Sequence, residues 1–427
     1  MSVSDPLDRL LAERQADRLP SVAAAVVRDG RVAWTGAVGS ASYDPLTPAT
    51  PDTQYRIGSI TKTFTATAIM QLRAEGKLDL DDRLDQHLDG VPSGAPTIRR
   101  LLSHLSGLQR EAGEMWVTGE SPTEDELVRH LELVLPAGEQ HHYSNLAFAL
   151  LGRVVGRLGG RPYAEYVDER IIGPLGLERT TWLPREPKAT GYLVDEYAGT
   201  VWVEPETDLA GTAAAGQLWS TVEDLCRWAA FLAAGHDGVL DARNVEQMWF
   251  PQVMYYPDDW VLGWGLGIAL FNRPGGIFGG HDGAMAGHLA AVVVNRKTKI
   301  GAAVLTNSGT RGDTTPLALQ LAEKAAELWP PAIEAWHPEP EPPADVRALL
   351  GRWWSEGTEF VFWWEDGALH AKVVGSPPGR GETTFERDRD GWRASAGRER
   401  GERLRVDGDR MIWAGYPFTR TQEPSPG

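Results

Sequence analysis

Apolar residues along this chain follow two different periods. Leu7 to Arg18 repeats like an amphipathic helix, and two short apolar runs follow it, Val22 to Arg28 and Arg31 to Val38. Asp29-Gly30 separates those runs, which is the strongest short signal for a β-hairpin. From Gly58 the period becomes helical, through Ala68, Ile69 and Leu72, and it stops at Gly76. Helices are also expected over Leu101–Leu108, Glu124–Leu135, Leu146–Leu158, Tyr163–Ile172 and around Cys226, with a loop carrying Met115 and Trp116 and a looser stretch from Pro174 to Gly216. Strand-like runs return at Trp264–Leu270, Gly276–Ala284, Leu289–Val294 and Ile300–Thr306, before a helix over Pro316–Leu328. Strands at both ends with helices between them predict an α+β fold: one antiparallel sheet flanked by helices, with a helical domain inserted into it.

Pro330-Pro331 and the run from Pro338 to Pro343 read as an extended linker over residues 331–343. Beyond it, short alternating runs are punctuated by Asp366-Gly367, Asp390-Gly391 and Asp407-Gly408. The expected organisation is a main domain over residues 1–330 and a small all-β barrel or meander over 344–427. Trp353-Trp354 and Trp363-Trp364 are expected to fill that module's own core.

Charge and composition remove several classes of partner. The net charge is −17, and from residue 344 onward Lys and Arg nearly balance Asp and Glu, so the main domain is strongly acidic. Nucleic acid and anionic membrane are therefore not expected partners. Mean hydropathy is −0.31. No apolar run approaches the ~20 residues that span a bilayer, and the charged residues among Asp5 to Arg18 leave no apolar core for a signal peptide. A cytoplasmic location is expected. Cys226 is the only cysteine and sits in an amphipathic pattern, as a buried apolar residue would.

Three groups of reactive residues occur in order. Ser59 and Lys62 lie three apart, on one face of a helix start, where a neutral lysine can take the proton of a serine hydroxyl. Alone the pattern is weak, since roughly one or two Ser-x-x-Lys matches arise by chance in a chain this long. Tyr143-Ser144-Asn145 then places a phenol and an amide at a turn into a helix, and no other Tyr-x-Asn occurs. His281-Asp282-Gly283, followed by Ala284, lies among strands, where the glycine lets a substrate carbonyl approach an edge. The same tripeptide at His236 follows a helix end and reads as a cap.

This ordered series resembles the serine β-lactamase-related hydrolases: class C β-lactamases, D-specific aminopeptidases and amidases, DD-peptidase-like proteins and family VIII-type esterases. Leu101–Leu108, Ala215–Thr221 and Gly263–Gly267 extend the resemblance, which spans roughly residues 7 to 328, and the C-terminal module resembles a lipocalin-like domain. The resemblance implies Ser59 as nucleophile, Lys62 and Tyr143 as base and acid, and Asn145 hydrogen-bonded to Lys62 and orienting substrate. It also implies backbone N–H groups of Ser59 and Ala284 as oxyanion hole, with His281 lining the cleft. Such a chain acts on small esters, amides or short peptides through an acyl-enzyme. Histidine at position 281, where relatives carry lysine, favours esters, amides and D-amino-acid derivatives over β-lactams. Trp116, Trp260 and Trp264 are candidates for an aromatic wall. Acyl transfer from the same site, β-lactam turnover and a non-catalytic binding role are the alternatives, and a homo-oligomer stays open. No cofactor is expected, and His141-His142 reads as polar turn residues rather than a metal site.

Overall fold

Alternation of small apolar side chains sets the centre of the main unit. In strand β1 (Ser21–Arg28), Ala23, Ala25 and Val27 join one buried cluster while Val22, Ala24 and Val26 join another, as period-2 geometry requires. The computed structural model describes residues 5–310, 312–330, 335–338, 340–377, 380–389, 391–407 and 410–422. The chain divides into two compact units, Met1–Pro330 and Pro331–Gly427.

The hairpin at Asp29-Gly30 leads to β2 (Arg31–Tyr43) and β3 (Leu46–Pro48). The C-terminal half of the unit supplies β4 (Val253–Tyr256), β5 (Asp259–Trp264), β6 (Ala269–Arg273), β7 (Gly276–Met285), β8 (His288–Asn295) and β9 (Ile300–Thr306). Together they form one nine-stranded sheet in the order β3-β2-β1-β9-β8-β7-β6-β5-β4. The two ends of the unit meet at β1 and β9, which run antiparallel with Ala24 opposite Val304.

Helices α1 (Asp5–Ala16), α2 (Thr61–Ala74), α3 (Asn145–Gly159), α4 (Val222–Ala234) and α5 (Thr314–Leu328) cover the sheet. Leu7 and Leu11 of α1 and Leu317 and Leu321 of α5 pack on one face. The other face meets Leu225 and Trp228 of α4, and behind it α2 and α3 of the insertion. Helix α2 is buried on every side from Thr61 to Leu72. Its polar residues survive there because each finds a partner. Thr63 donates to Ile60 O at 2.7 Å, Thr65 to Ala214 O at 2.7 Å, and Gln71 to Val239 O at 2.8 Å. Phe64 stacks on Trp228 with ring centroids 3.7 Å apart. Among the described residues no helix is long and apolar enough to cross a membrane.

Four expectations from the pattern change. Of the helix expected over Leu101–Leu108 only Leu101 and Leu102 are helical, at the end of Ile98–Leu102, because His104 and Gly107 adopt positive φ and turn the chain. Glu124–Leu135 holds a single 3-10 turn, Leu127–His130, and then runs extended against Gly107 and Gln109. Met115 and Trp116 lie in a short helix, Met115–Thr118, instead of a loop. Trp264–Leu270 is a tight connection between β5 and β6, closed by Gly265 N–H donating to Ile268 O at 2.8 Å, while the strands on either side extend beyond it.

The second unit is a sequential antiparallel meander of eight strands from Gly351–Ser355 to Tyr416–Phe418. It closes nearly into a barrel where Trp354 and Thr419 exchange two backbone hydrogen bonds, 2.8 and 3.0 Å. Phe362, Leu369, Phe385, Leu404 and Trp413 fill it. Trp353 is buried in that core and Trp364 packs against it, whereas Trp363 stacks on His370 outside it. Asp366-Gly367 forms a turn as expected. Asp390 and Gly408 of the other two signals, and residues 331–334 and 339 of the expected linker, lie outside the described residues.

Because Phe64 is fully buried against Trp228 on the helix that carries Lys62, truncating it leaves a cavity under that helix. Phe64→Ala is expected to lower unfolding stability by about 3–5 kcal/mol, read as a fall in the urea midpoint at unchanged slope.

Candidate active site

Two backbone segments approach each other more closely than side chains allow. One is Ile57-Gly58-Ser59, a single 3-10 turn over Gly58–Ile60 that opens helix α2. The other is the end of β7, which pairs with β6 only as far as Gly280 and so leaves its edge free beyond that point. A Cβ on Gly283 would sit 1.9 Å from Ile57 O, and one on Gly58, at φ +49°, would sit 2.8 Å from Ala284 N. The face of β7 at Gly283, where a side chain would stand, is thus covered by Ile57. This approach places the backbone nitrogens of Ser59 and Ala284 close together beside one cavity, at the start of a helix.

Lys62 lies in the first turn of α2, with no exposed surface. Its Nζ donates to Ser59 Oγ at 2.9 Å and to Ala215 O at 2.7 Å. Burial is the largest influence on this amine and lowers its pKa to about 7, against the opposing pull of Glu111 and Asp282. The Ser59 hydroxyl is near enough to act on the Tyr143 phenol, but burial outweighs it and pushes the phenol's pKa well above the ordinary value. The Lys62 ammonium nitrogen lies 5.1 Å from the centre of the Tyr143 ring. Serine, lysine and tyrosine therefore form one cluster, with Lys62 hydrogen-bonded to Ser59 and lying over the Tyr143 ring.

Asn145 begins helix α3 and lines the cavity at Ser59, but its amide turns away from the expected partner. Nδ2 donates to Glu111 Oε1 at 2.6 Å, and Lys62 takes the Ala215 carbonyl instead. The cavity is walled by Ser59, Glu111 and Asn145 on its polar side, and by Met115, Trp116, Leu209 and Met285 on its apolar side, with Ala284 at the edge. His281 is not at that wall. It is 1% exposed, packs on Trp264 with centroids 5.1 Å apart and on Tyr143 at 6.2 Å, and its Nδ1–H donates to Asp282 O. Burial lowers its pKa to about 4, so the ring is neutral at pH 7. Of the three candidate tryptophans, Trp116 lines the cavity, Trp264 is buried behind Tyr143, and Trp260 is exposed on β5.

Reasoning from the sequence missed Glu111, Ala215 and Arg110. Arg110 sits over the Tyr143 ring at 5.0 Å. A charged pair in a loop after Leu108 was the only signal for Arg110 and Glu111. A backbone carbonyl such as that of Ala215 leaves none.

A nine-stranded antiparallel sheet with a helical insertion, and a serine-lysine-tyrosine cluster at their junction, is the architecture of the active-site serine hydrolases of the β-lactamase and penicillin-binding type. The chain belongs to the beta-lactamase family, which it matches over residues 7–327. A domain of unknown function matches residues 342–420. Penicillin-binding protein 4 of Amycolatopsis lactamdurans is 31% identical over 378 residues, 82% of this chain and 97% of that protein. Beta-lactamase-like protein 2 of Dictyostelium discoideum is 28% identical over 318 residues, 69% of this chain, and the match spans only 57% of that longer protein. Among solved structures, a D-stereospecific amidohydrolase from Streptomyces sp. shares 30% identity with a TM-score of 0.65, covering 74% of this chain and 97% of its own. The protein is a serine hydrolase of this family.

Two outcomes follow from the geometry. Lys62 is neutral only above its lowered pKa, so kcat/KM is expected to rise with pH through a midpoint near 7 and then level; a pH profile in constant ionic strength reads it. Gly283→Ala forces Ile57 and β7 apart, and is expected to cost about 1–3 kcal/mol of stability with loss of turnover, measured by thermal unfolding and active-site titration.

Proposed function

We propose that Ser59 is the acylated nucleophile and that Lys62 takes its proton. Attack of Oγ on a substrate carbonyl moves the hydroxyl proton to the neutral Lys62 amine and charge to the carbonyl oxygen. The Ser59 and Ala284 N–H groups hold that charge. The Lys62 proton then passes, with Tyr143 as relay, to the departing amine or alcohol, leaving an ester on Ser59. Water hydrolyses that ester by the same route in reverse. The observation that carries this reading is the 2.9 Å contact from a fully buried Lys62 to Ser59, with the amine's pKa lowered to about 7.

The cavity supports small aminoacyl amides and esters as the substrate class. Glu111 offers a carboxylate to a substrate ammonium group, while Met115, Leu209 and Met285 form an adjoining apolar cluster for a hydrophobic side chain. The neutral, buried His281 offers no cation to a substrate carboxylate. D-Aminoacyl amides head the candidates, because the Streptomyces relative is named D-stereospecific. The barrel is read as an appendage joined through residues 331–343, so that deletion from Pro338 onward leaves a folded hydrolase; loss of the cooperative unfolding transition would contradict it.

The test is a panel of D- and L-aminoacyl amides, p-nitrophenyl acyl esters and a chromogenic cephalosporin. Ser59→Ala is expected to abolish turnover and labelling by a fluorophosphonate, and wild-type turnover by that variant overturns the assignment. Glu111→Gln keeps an acceptor for Asn145 but loses the charge. It is expected to lower kcat/KM for amine-bearing substrates by about 10- to 100-fold relative to p-nitrophenyl acetate in the same variant; an equal change on both would remove Glu111 from substrate recognition.

A further inference from the structure

The turn at Ser103–Leu108 is unusual for what it holds. His104 has no exposed surface, yet its backbone is at φ +56°, a region that side chains other than glycine seldom enter. Its ring lies flat against Tyr143, with centroids 4.2 Å apart and planes 26° from parallel. The residues on both sides of Tyr143 are tied to it as well. His142 N–H donates to His104 O at 2.8 Å, and Ser144 N–H donates to His104 Nδ1 at 3.2 Å. The rest of the turn holds the strand that leads to Tyr143: Gly138 N–H donates to Leu105 O at 2.8 Å, and Val134 N–H to Gly107 O at 2.9 Å. At Gly107 a Cβ would stand 2.1 Å from Leu135 O, so no side chain fits between the two segments.

We propose that His104 is a positioning residue for the Tyr143 phenol, fixing the ring by its face and the backbone by both flanks. This inference rests on the reading of Tyr143 as part of the reacting cluster. A nitrogen that accepts the Ser144 N–H cannot also carry a proton, so the His104 proton is on Nε2 and the ring is neutral. The surroundings enforce that state. Burial comes first, then the positive charge of Lys62, with His141, His281 and Arg110 acting in the same sense, and together they hold the imidazole pKa well below its usual range. Protonation would put a hydrogen on Nδ1, expel the Ser144 N–H and place a cation beside Lys62. The backbone conformation follows from the same demand: only a left-handed residue at this turn brings its carbonyl and its side chain to the two flanks of one residue. That accounts for a strained backbone conformation at a buried position.

Displacing a reacting group by about 1 Å costs up to about 100-fold in rate. In the full chain, His104→Asn tolerates the left-handed backbone and offers Oδ1 to Ser144 but loses the stacked ring; His104→Phe keeps a ring but loses the acceptor. Both are expected to lower kcat by about 10- to 100-fold with KM little changed, and to move the midpoint of the pH profile, measured per site titrated with fluorophosphonate. Tyr143→Phe provides the control: adding His104→Asn to it is expected to give no further loss. Wild-type kcat and pH midpoint in a folded His104→Asn protein, or losses that simply multiply in the double variant, would overturn the inference and leave His104 a packing residue. Wild-type activity in Tyr143→Phe would instead overturn the reading of the site itself. Should neither single variant fold, the imidazole 15N shifts of His104 in the wild-type protein decide the same point: a neutral ring protonated at Nε2 from about pH 5 to 8 supports the clamp, and a ring protonated at Nδ1 overturns it.

Discussion

A lysine amine with no exposed surface, held 2.9 Å from a serine hydroxyl, is the constraint on which the main unit depends. An ammonium in that position loses its hydration, and lowering its pKa from 10.5 to about 7 corresponds to a bias on the order of 5 kcal/mol against the charged form. Such a bias exists only where water is excluded. Helix α2 is accordingly buried on all sides and enclosed by the sheet, α3 and α4. Polar residues line it, and Thr63, Thr65 and Thr67 each hydrogen-bond to a neighbouring carbonyl, while Gln71 Oε1 is left without a partner. The segment inserted between β3 and β4 supplies both α3 and α4, against which α2 is buried.

The second constraint is the absence of side chains where Ile57–Ser59 meets Gly283–Ala284. Neither segment would tolerate a Cβ facing the other, so two glycines fix the spacing of the two N–H groups. In the proposed reading, burial of the base and alignment of the N–H pair are separate requirements met by separate devices. One comes from layers of apolar residues, and the other from two positions that lack them.

How far the sequence revealed these devices depends on the kind of interaction. The unbroken apolar runs Val22–Val27 and Ala290–Val294 gave the strands, because a strand buried on both faces needs an apolar residue at every position. The order of Ser59, Lys62, Tyr143 and Asn145 was visible for the same reason: each is a side chain with chemistry of its own. The helix expected at Leu101–Leu108 failed because an apolar run does not announce that His104 and Gly107 take positive φ. The strand expected at Trp264–Leu270 failed because its apolar residues serve a turn whose Gly267 N–H donates to Leu102 O. Contacts made by carbonyls, such as that of Ala215 with Lys62, leave no mark on residue type at all.

His281 shows most clearly what three-dimensional context adds. Residue type alone pointed to a neutral imidazole facing substrate in place of a cation, and the neutrality holds, with burial as its first cause. Its position does not face the cavity, since Tyr143 and Trp264 cover it. Discrimination against carboxylate-bearing substrates, in the proposed reading, then falls to other groups. Glu111 lines the cavity and Asp282 lies close enough to act on both Lys62 and Tyr143, while Arg110, largely in solvent, pairs with Glu111 at 3.6 Å. Two carboxylates beside a base that is neutral near pH 7 repel an anionic substrate and attract an amine. The absence of a lysine at position 281 and the presence of Glu111 at the cavity wall thus act in the same direction, one by withholding a cation and the other by supplying an anion.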